Sequence, residues 1–283
     1  MQYGTGRPMM LPDVVKLGFT MLVYPGLLFV ALVVTATGRV LAGSTRGRAL
    51  RGFWRAGRGV GNSAYVLAVL SVLLALVCLP WPAAPWQLRW STTIWWIWAL
   101  MEISVVATLL PMLVALAPEV SRAAVREAQL GVSGRLPIWI AMVAMIGAAD
   151  TELSTAWVVA LLAVVLVLPA AAGWAPFGPR SSDLEAHLAS SGCLTDEELA
   201  LAVWIRRLHG IFWLALVGTV FVPLPGLAWW IELQLRLVVI LGLALIARGS
   251  RGLQLRRSLP TALRWCWWVG LPCAIVAVVL LAK

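Results

Sequence analysis

Long apolar runs, separated by short polar segments that contain proline or glycine, make up most of the chain. A transmembrane helix needs about 20 consecutive apolar residues, and runs of about that length recur along the sequence. The alternating pattern of a transmembrane β-strand does not occur in the sequence. The pattern therefore predicts an all-α polytopic membrane protein with about eight transmembrane helices, over residues 14 to 37, 63 to 83, 91 to 117, 136 to 149, 154 to 173, 205 to 222, 228 to 247 and 263 to 282.

The fourth predicted span is short because Asp150 and Glu152 end its hydrophobic run early. We expect this helix to extend back into the polar segment before it. No internal repeat or low-complexity linker divides the sequence, which predicts a single membrane domain over residues 1–283. The segment from Met1 to Asp13 lacks the features of a cleavable signal peptide, so the first apolar run is expected to stay in the mature protein.

Composition excludes a water-soluble globular protein. Hydrophobic residues make up 61% of the chain and charged residues 12%, whereas soluble domains have about 25% charged residues. The net charge of +10 would suggest a nucleic-acid partner in a soluble protein. The distribution of the basic residues gives a different interpretation here.

Of the 22 basic residues, 17 lie in or beside the odd-numbered predicted loops, at about 38–62, 118–135, 174–204 and 248–262. Arg236 falls inside a span, and the opposite side holds only Arg7, Lys16, Arg89 and Lys283. Because basic residues concentrate in cytoplasmic loops, this bias predicts a multi-pass plasma-membrane protein with both termini outside the cytoplasm. It also predicts no nucleic-acid partner.

Tryptophan, cysteine and histidine add little specific chemistry. Most of the 17 tryptophans lie near predicted span ends, as in an interfacial aromatic belt. The four cysteines have no CxxC spacing, and His187 and His209 have no second histidine or cysteine at ligand spacing. The sequence therefore predicts no metal site in this chain.

Two cytoplasmic segments could carry function. RGRALRGFWRAGR, at 46–58, predicts a basic amphipathic helix on the inner leaflet, which either anchors the loop to lipid or also walls a binding cavity. The loop at 174–204 holds the densest acidic cluster. Ser182 to Glu185 and Thr195 to Glu198 each fit a helix capping box, so its acids either cap helices or form a partner-docking surface or a proton-uptake point.

Ionisable residues inside a membrane are costly and are functional candidates by default. Glu102, near the middle of the third span, has no basic residue at helical spacing, so it either pairs with another helix or is protonated. It is the first candidate for a buried proton-carrying group. Glu232 and Arg236 are four residues apart, which favours an intrahelical ion pair. Asp150 and Glu152 form either a polar turn or a proton exit.

Three segments stand out in order along the chain: YPGLLF followed by TGRVLAGSTRGR at the first span, AAVREAQLGVSGRLP after the third, and APFGPRSSDLEAHLASSG after the fifth. They resemble the NADH dehydrogenase subunit 1 family of respiratory complex I and its relatives in group 4 energy-converting [NiFe] hydrogenases and formate hydrogenlyase. Together with the predicted topology, they cover about Tyr24 to Pro223. The chain departs from the family's acidic positions at Thr37, at Gly134-Arg135 and at Gly178.

The resemblance implies a non-catalytic membrane subunit of an oxidoreductase complex. Its partners would be a hydrogenase-like large subunit and an iron–sulfur small subunit of a soluble arm, antiporter-like membrane subunits and the lipid bilayer. It would bind no cofactor itself, with quinone as the candidate ligand at the interface with the soluble arm. We expect coupling or proton-path roles for Glu102, Asp150, Glu152, Asp183, Glu185, Glu232 and Arg236. The docking or cavity loops would use Arg39, Trp54, Arg122, Arg126, Glu127, Gln129, Arg135, Pro176, Phe177, Asp196, Glu197 and Glu198.

Two other functions are compatible with a protein of this class. A stand-alone transporter predicts inverted repeats with broken helices in matching positions, and no second-half counterpart of Pro111, Pro118 and Pro137 is clear in the sequence. An integral-membrane lipid-modifying enzyme predicts paired aspartates or a His/Asp metal set, and the acids of the 174–204 loop lack that spacing.

Overall fold

The computed structural model describes residues 23–41, 53–54, 63–82, 90–114, 118–147, 155–174, 177, 196–222, 227–250 and 258–281. Regular secondary structure in these residues is helical throughout. The helices are α1 (Leu27–Leu41), α2 (Ser63–Val77), α3 (Trp90–Leu113), α4 (Pro118–Gly147), α5 (Thr155–Ala171), α6 (Asp196–Val220), α7 (Trp229–Ser250) and α8 (Leu259–Leu281). The predicted all-α class is confirmed.

Five of these helices contain a segment long and apolar enough to cross a membrane, which supports the membrane class. The segments are Thr93–Leu113, Pro118–Met145, Glu198–Val220, Trp229–Gly249 and Leu259–Leu281. The helices α1, α2 and α5 are apolar but shorter, with 15, 15 and 17 residues. At 1.5 Å per residue they reach about 22 to 26 Å, less than the ~30 Å hydrocarbon core. Eight spans therefore stay a prediction.

Two helices begin well before their predicted spans. Helix α4 extends back through the polar segment to Pro118, as expected for the fourth span, and its 30 residues reach about 45 Å. Helix α6 begins at Asp196, directly after Thr195, where the sequence predicts a helix start. Both helices are therefore long enough to leave the hydrocarbon core at one end.

Within the described residues, the first helix begins later than the first predicted span. Residues 23–26 are bent, and α1 begins only at Leu27. Pro25 explains this start, because a proline disfavours helical backbone in the residue before it. Residues 14–22 lie outside the described residues. The same holds for most of the predicted amphipathic helix, of which only the helical pair Phe53–Trp54 is described; the Trp54 side chain is exposed.

Helix α6 lies at the centre of the bundle, where it contacts α1, α2, α3, α5 and α7. It is the most buried of the five candidate spans, whereas α7 and α8 are the least buried. On one side α4 packs against α5 and α8, and on the other α7 packs against α1. Polar side chains of α3, α4 and α6 contact one another within this bundle.

Close backbone packing fixes the position of α4. A Cβ atom on Gly134 would lie 2.5 Å from the backbone nitrogen of Ala171 on α5, a distance that real Cβ atoms do not adopt. The absence of a side chain at Gly134 thus lets α4 and α5 approach each other closely. This contact holds the next residue on α4, Arg135, at a defined place in the bundle.

The described tryptophans include exposed, half-buried and buried side chains. Exposed indoles occur near the start of α3, at the start of α7 and within α8, as an interfacial belt requires, at Trp95, Trp96, Trp98, Trp229, Trp230, Trp267 and Trp268. Trp81 differs from this pattern, because it is 1% exposed and donates a hydrogen bond from Nε1 to the carbonyl of Leu76. It belongs to the protein core.

Candidate functional site

Glu102 on α3 forms an ion pair with Arg135 on α4. The guanidinium donates two hydrogen bonds to the carboxylate, from Nε to Oε1 at 3.0 Å and from Nη2 to Oε2 at 2.9 Å. Trp139, one turn further along α4, donates from its indole nitrogen to Oε1 at 3.2 Å. Two parallel charge-assisted hydrogen bonds hold both partners in a fixed orientation. The sequence left open whether Glu102 pairs with a residue of another helix or is protonated. In the structure it pairs with a residue of another helix.

Burial makes this ion pair energetically important. The Arg135 residue is 4% exposed, whereas the Glu102 side chain is 27% exposed. Removal of the partly exposed Glu102 carboxylate would leave the buried guanidinium without its counter-charge. A Cβ atom on Gly131 would lie 2.5 Å from Nη1 of Arg135. Gly131 therefore leaves the space that the guanidinium occupies.

Ser104 and His209 form a second contact between α3 and α6. The Ser104 hydroxyl is fully buried and lies 2.7 Å from the backbone carbonyl of Ala68 on α2, to which it donates. The same oxygen lies 2.8 Å from Nε2 of His209. Arg135 and Arg206 both interact electrostatically with His209, which places the histidine near both guanidiniums.

Glu127 on α4 and Arg206 on α6 form a second interhelical ion pair. Both side chains are partly exposed, at 25% and 21%, so this pair is more accessible than Arg135. The fully buried Tyr65 on α2 faces the charges of Arg206 and Glu198, and its hydroxyl has no hydrogen-bond partner among the described residues. Four helices thus contribute polar side chains to this part of the bundle.

These contacts follow one another along the helices. On α4, Glu127 precedes Arg135 by eight residues, which is about 12 Å. On α6, Arg206 precedes His209 by one turn. The chain runs in the opposite direction on α3, where Ser104 follows Glu102. The two ion pairs and the histidine therefore form a row from one end of the bundle towards its middle. We call this row the Glu102 array; it consists of Glu102, Ser104, Glu127, Arg135, Trp139, Arg206 and His209.

A different polar cluster lies where α2 and α6 end and α7 begins. Arg236 pairs with Glu232 one turn earlier on α7, as the spacing predicted. The same guanidinium donates from Nη1 to the carbonyl of Thr219 in the last turn of α6 and to that of Pro80, 3.5 Å away, beyond the end of α2. We call these four residues the Arg236 cluster. Its contacts go mainly to backbone carbonyls near helix ends, where a cation is favourable.

The other predicted site residues that the structure describes lie outside the Glu102 array. Arg39, Trp54, Arg122, Arg126 and Gln129 are exposed. Phe177 is buried and its ring lies 6.5 Å from that of Trp265. The predicted residues outside the described part of the chain are Asp150, Glu152, Pro176, Asp183 and Glu185, and nothing is described of the side chains of Asp196 and Glu197.

Sequence reasoning missed Ser104, Trp139, Tyr65 and the contact of His209. Serine, tryptophan and tyrosine are common in membrane helices, so their presence alone carries no signal. Glu127, Arg135 and Arg206 were visible only as loop or flanking residues, because the polar starts of α4 and α6 were predicted to be cytoplasmic. The one signal that pointed to the site was the lack of a local partner for Glu102.

The array can hold and redistribute charge. It contains two carboxylates, two guanidiniums and an imidazole, and it connects three helices through side chains that respond to one another's charge. The described residues contain no group of three or more His, Cys, Asp or Glu side chains suited to a metal ion. No protein-family model matches the sequence, and no curated protein matches it.

Proposed function

We propose that this protein is a membrane-anchoring and coupling subunit of a respiratory or energy-converting redox complex, of the complex I subunit 1 type. Its cytoplasmic loops dock a soluble arm that is [NiFe]-hydrogenase-like or quinone-reducing, with its iron–sulfur subunit. The Glu102 array links electron transfer in that arm to ion movement through antiporter-like membrane subunits. Quinone, if the complex reduces one, binds at the interface with the soluble arm.

The observation that supports this proposal is the clustering of charge in the Glu102 array. Only 12% of the residues are charged, yet five ionisable side chains from α3, α4 and α6 gather in one row. Buried charges cost several kcal/mol each unless they are paired, and bundles retain them mainly where they serve a function. A protein that only anchored its partners would not need this row.

The physical mechanism is electrostatic. A charge or a loop that moves at the docking surface changes the position of Arg206 and Glu127, the array members nearest the polar ends of α4 and α6. In a low dielectric, such a change strongly alters the proton affinity of neighbouring groups. Arg135 transmits it to Glu102, and the carboxylate takes up or releases a proton.

Glutamine at position 102 tests the coupling role. In the intact complex, isolated in membrane vesicles, Glu102→Gln keeps the hydrogen-bond acceptor for Arg135 but cannot ionise. We expect it to abolish redox-driven proton translocation while electron transfer in the soluble arm continues. Glu119→Gln, at an exposed position at the start of α4, is the matched control and should leave both activities unchanged. Unchanged translocation in Glu102→Gln refutes the coupling role.

Purification tests the assignment to a redox complex. After mild detergent extraction of a tagged chain, we expect co-isolation of a [NiFe]-type or quinone-reducing large subunit and iron–sulfur proteins. A monomer without redox partners, extracted under conditions that preserve other membrane complexes, contradicts the proposal and favours a stand-alone transporter.

A further inference from the structure

Helices α1 and α7 lie side by side, and contacts at both ends of the pair show it. At one end the rings of Tyr24, just before α1, and Trp229, at the start of α7, lie 6.4 Å apart. At the other end Nη1 of Arg248 on α7 donates to the carbonyl of Val40 on α1, at 3.2 Å. The two helices therefore run in the same direction, and their last turns are neighbours.

The end of α7 that carries Arg248 lies at the depth of the lipid headgroups. Helix α7 has 22 residues, and its stretch from Trp229 to Arg248 is about 28 Å long, close to the ~30 Å thickness of the hydrocarbon core. Trp229 is exposed, as interfacial tryptophans are. With this tryptophan at one interface, Arg248 reaches the other interface. The distribution of basic residues predicts that this second interface is the cytoplasmic one.

Two exposed arginines meet at this end of the helix pair. Arg39 is next to Val40, whose carbonyl binds Arg248, so the two arginines belong to adjacent helix ends. Neither arginine has a carboxylate partner among the residues that the structure describes. Neighbouring like charges repel each other, and an anion that binds both of them relieves that repulsion.

Exposed apolar side chains continue from both arginines towards the membrane interior. On α1, Leu32 lies two turns before Arg39, and on α7, Leu245 lies about one turn before Arg248; both leucines are exposed. Basic side chains at headgroup depth, with apolar surface beside them, fit both parts of a phospholipid. An acidic soluble protein would compensate the charges but would leave the leucines uncovered.

We propose that the adjacent ends of α1 and α7 form a binding site for an anionic phospholipid of the cytoplasmic leaflet. The guanidiniums of Arg39 and Arg248 bind its phosphodiester group, and its acyl chains lie along Leu32 and Leu245. The lipid supplies the negative charge that the described residues do not supply at this place. The inference goes beyond the redox proposal and does not depend on it.

Lipid retention by the purified chain tests the site. The full-length protein in dodecylmaltoside micelles is mixed with dioleoyl phosphatidylglycerol or dioleoyl phosphatidylcholine, and the retained lipid is counted by native mass spectrometry. The attraction between one arginine and an anionic membrane surface corresponds to about a fivefold change in affinity. We therefore expect phosphatidylglycerol to be retained at least about fivefold more strongly. Equal retention of the two lipids overturns the proposal.

Substitution of the arginines locates the bound lipid. Arg39→Gln removes one charge but leaves the bond between Arg248 and Val40, so the helix contact is kept. It should lower the preference for phosphatidylglycerol several-fold, and the double variant Arg39→Gln/Arg248→Gln should lower it further. Arg264→Gln removes the same charge at an exposed position of α8 and should leave the preference unchanged. An equal loss in Arg39→Gln and Arg264→Gln would mean that only net charge matters, and the site would be refuted.

The free headgroup distinguishes a lipid site from a simple anion site. Glycerophosphoglycerol carries the same phosphodiester as phosphatidylglycerol but has no acyl chains. At equal concentration it should not displace the lipid, because it cannot cover the leucines. Displacement by the free headgroup contradicts the assignment to a lipid.

Discussion

The Glu102 array and the Arg236 cluster both contain a Glu–Arg ion pair within a helix bundle, but they are built differently. In the Arg236 cluster both partners lie on α7, and the guanidinium also binds carbonyls of Thr219 and Pro80. In the Glu102 array the partners lie on α3 and α4, and the hydrogen bonds to the Glu102 carboxylate come from the side chains of Arg135 and Trp139. An arginine that binds backbone carbonyls, as Arg236 does, holds helix ends together. An ion pair between side chains of two helices, such as Glu102 and Arg135, can exchange partners. We therefore propose a structural role for the Arg236 cluster and a functional role for the Glu102 array.

The largest expected effect is that of removing the carboxylate at position 102. Glu102→Ala leaves Arg135 buried without a counter-charge, which should destabilise the protein by about 3–5 kcal/mol. We expect the corresponding Glu232→Ala to cost clearly less, because Arg236 keeps its backbone carbonyl partners. The measurement is reversible unfolding in mixed micelles of dodecylmaltoside and SDS. Equal losses in the two variants would contradict the proposed difference.

Replacing Arg236 should have the next largest effect. Arg236→Met removes the hydrogen bonds to α6 and to the end of α2. Because the contact with Pro80 is long, at 3.5 Å, we expect a loss of about 1.5–3 kcal/mol, the contribution of one charged hydrogen bond. Arg236→Lys should recover only part of the loss, because an ammonium lacks the planar fork of a guanidinium. In the intact complex we expect both variants to reduce stability without uncoupling proton translocation from electron transfer. Selective uncoupling by Arg236→Met would place this cluster in the proton path.

Glycine substitutions compare the helix contacts beside the two clusters. A Cβ atom at Gly134 would strike the α5 backbone, whereas one at Gly218 would strike the side chain of Ile240 on α7, which can move. Overpacking costs about 1–3 kcal/mol, and we expect the loss of unfolding free energy to lie at the upper end for Gly134→Ala and at the lower end for Gly218→Ala. Gly242→Ala, with nothing within 4 Å, is the control and should be neutral or slightly stabilising.

The smallest expected effect is at the exposed arginines of α4. Arg122→Gln changes the net charge as Arg135→Gln does, but its side chain is exposed. We expect it to change stability by less than about 0.5 kcal/mol. Arg135→Gln, which leaves the Glu102 carboxylate without its guanidinium, should cost several times more. Equal losses of unfolding free energy in Arg122→Gln and Arg135→Gln would show that burial of Arg135 does not cause its effect.

The contrast between the clusters also explains which features the sequence predicted. The Glu232–Arg236 pair depends on the spacing of one helical turn, so it is visible locally. The Glu102–Arg135 pair joins residues 33 positions apart, and it depends on how α3 meets α4, which apolar periodicity does not specify. The sequence identified Glu102 by its missing local partner but could not name Arg135.

The sequence predicted the early starts of α4 and α6 but not the late start of α1. The backward extension of α4 followed from the early stop at Asp150, and the start of α6 followed from the capping pattern at Thr195 to Glu198. The late start of α1 at Leu27 was missed because hydropathy continued through Pro25, where backbone geometry opposes a helix. Gly131 leaves space for the Arg135 guanidinium and Gly134 for the α5 backbone, and neither role can be inferred before the neighbouring atoms are known.

A double-mutant cycle on Glu102 and Arg135 tests the central claim most directly. The unfolding free energies of the native protein, Glu102→Ala, Arg135→Ala and the double variant give the coupling energy of the pair. Residues in one buried hydrogen-bonded pair typically couple by about 0.5–3 kcal/mol, and we expect a value in the upper half of that range. Strict additivity of the two substitutions would mean that the carboxylate and the guanidinium do not interact, and the Glu102 array would not exist in the membrane.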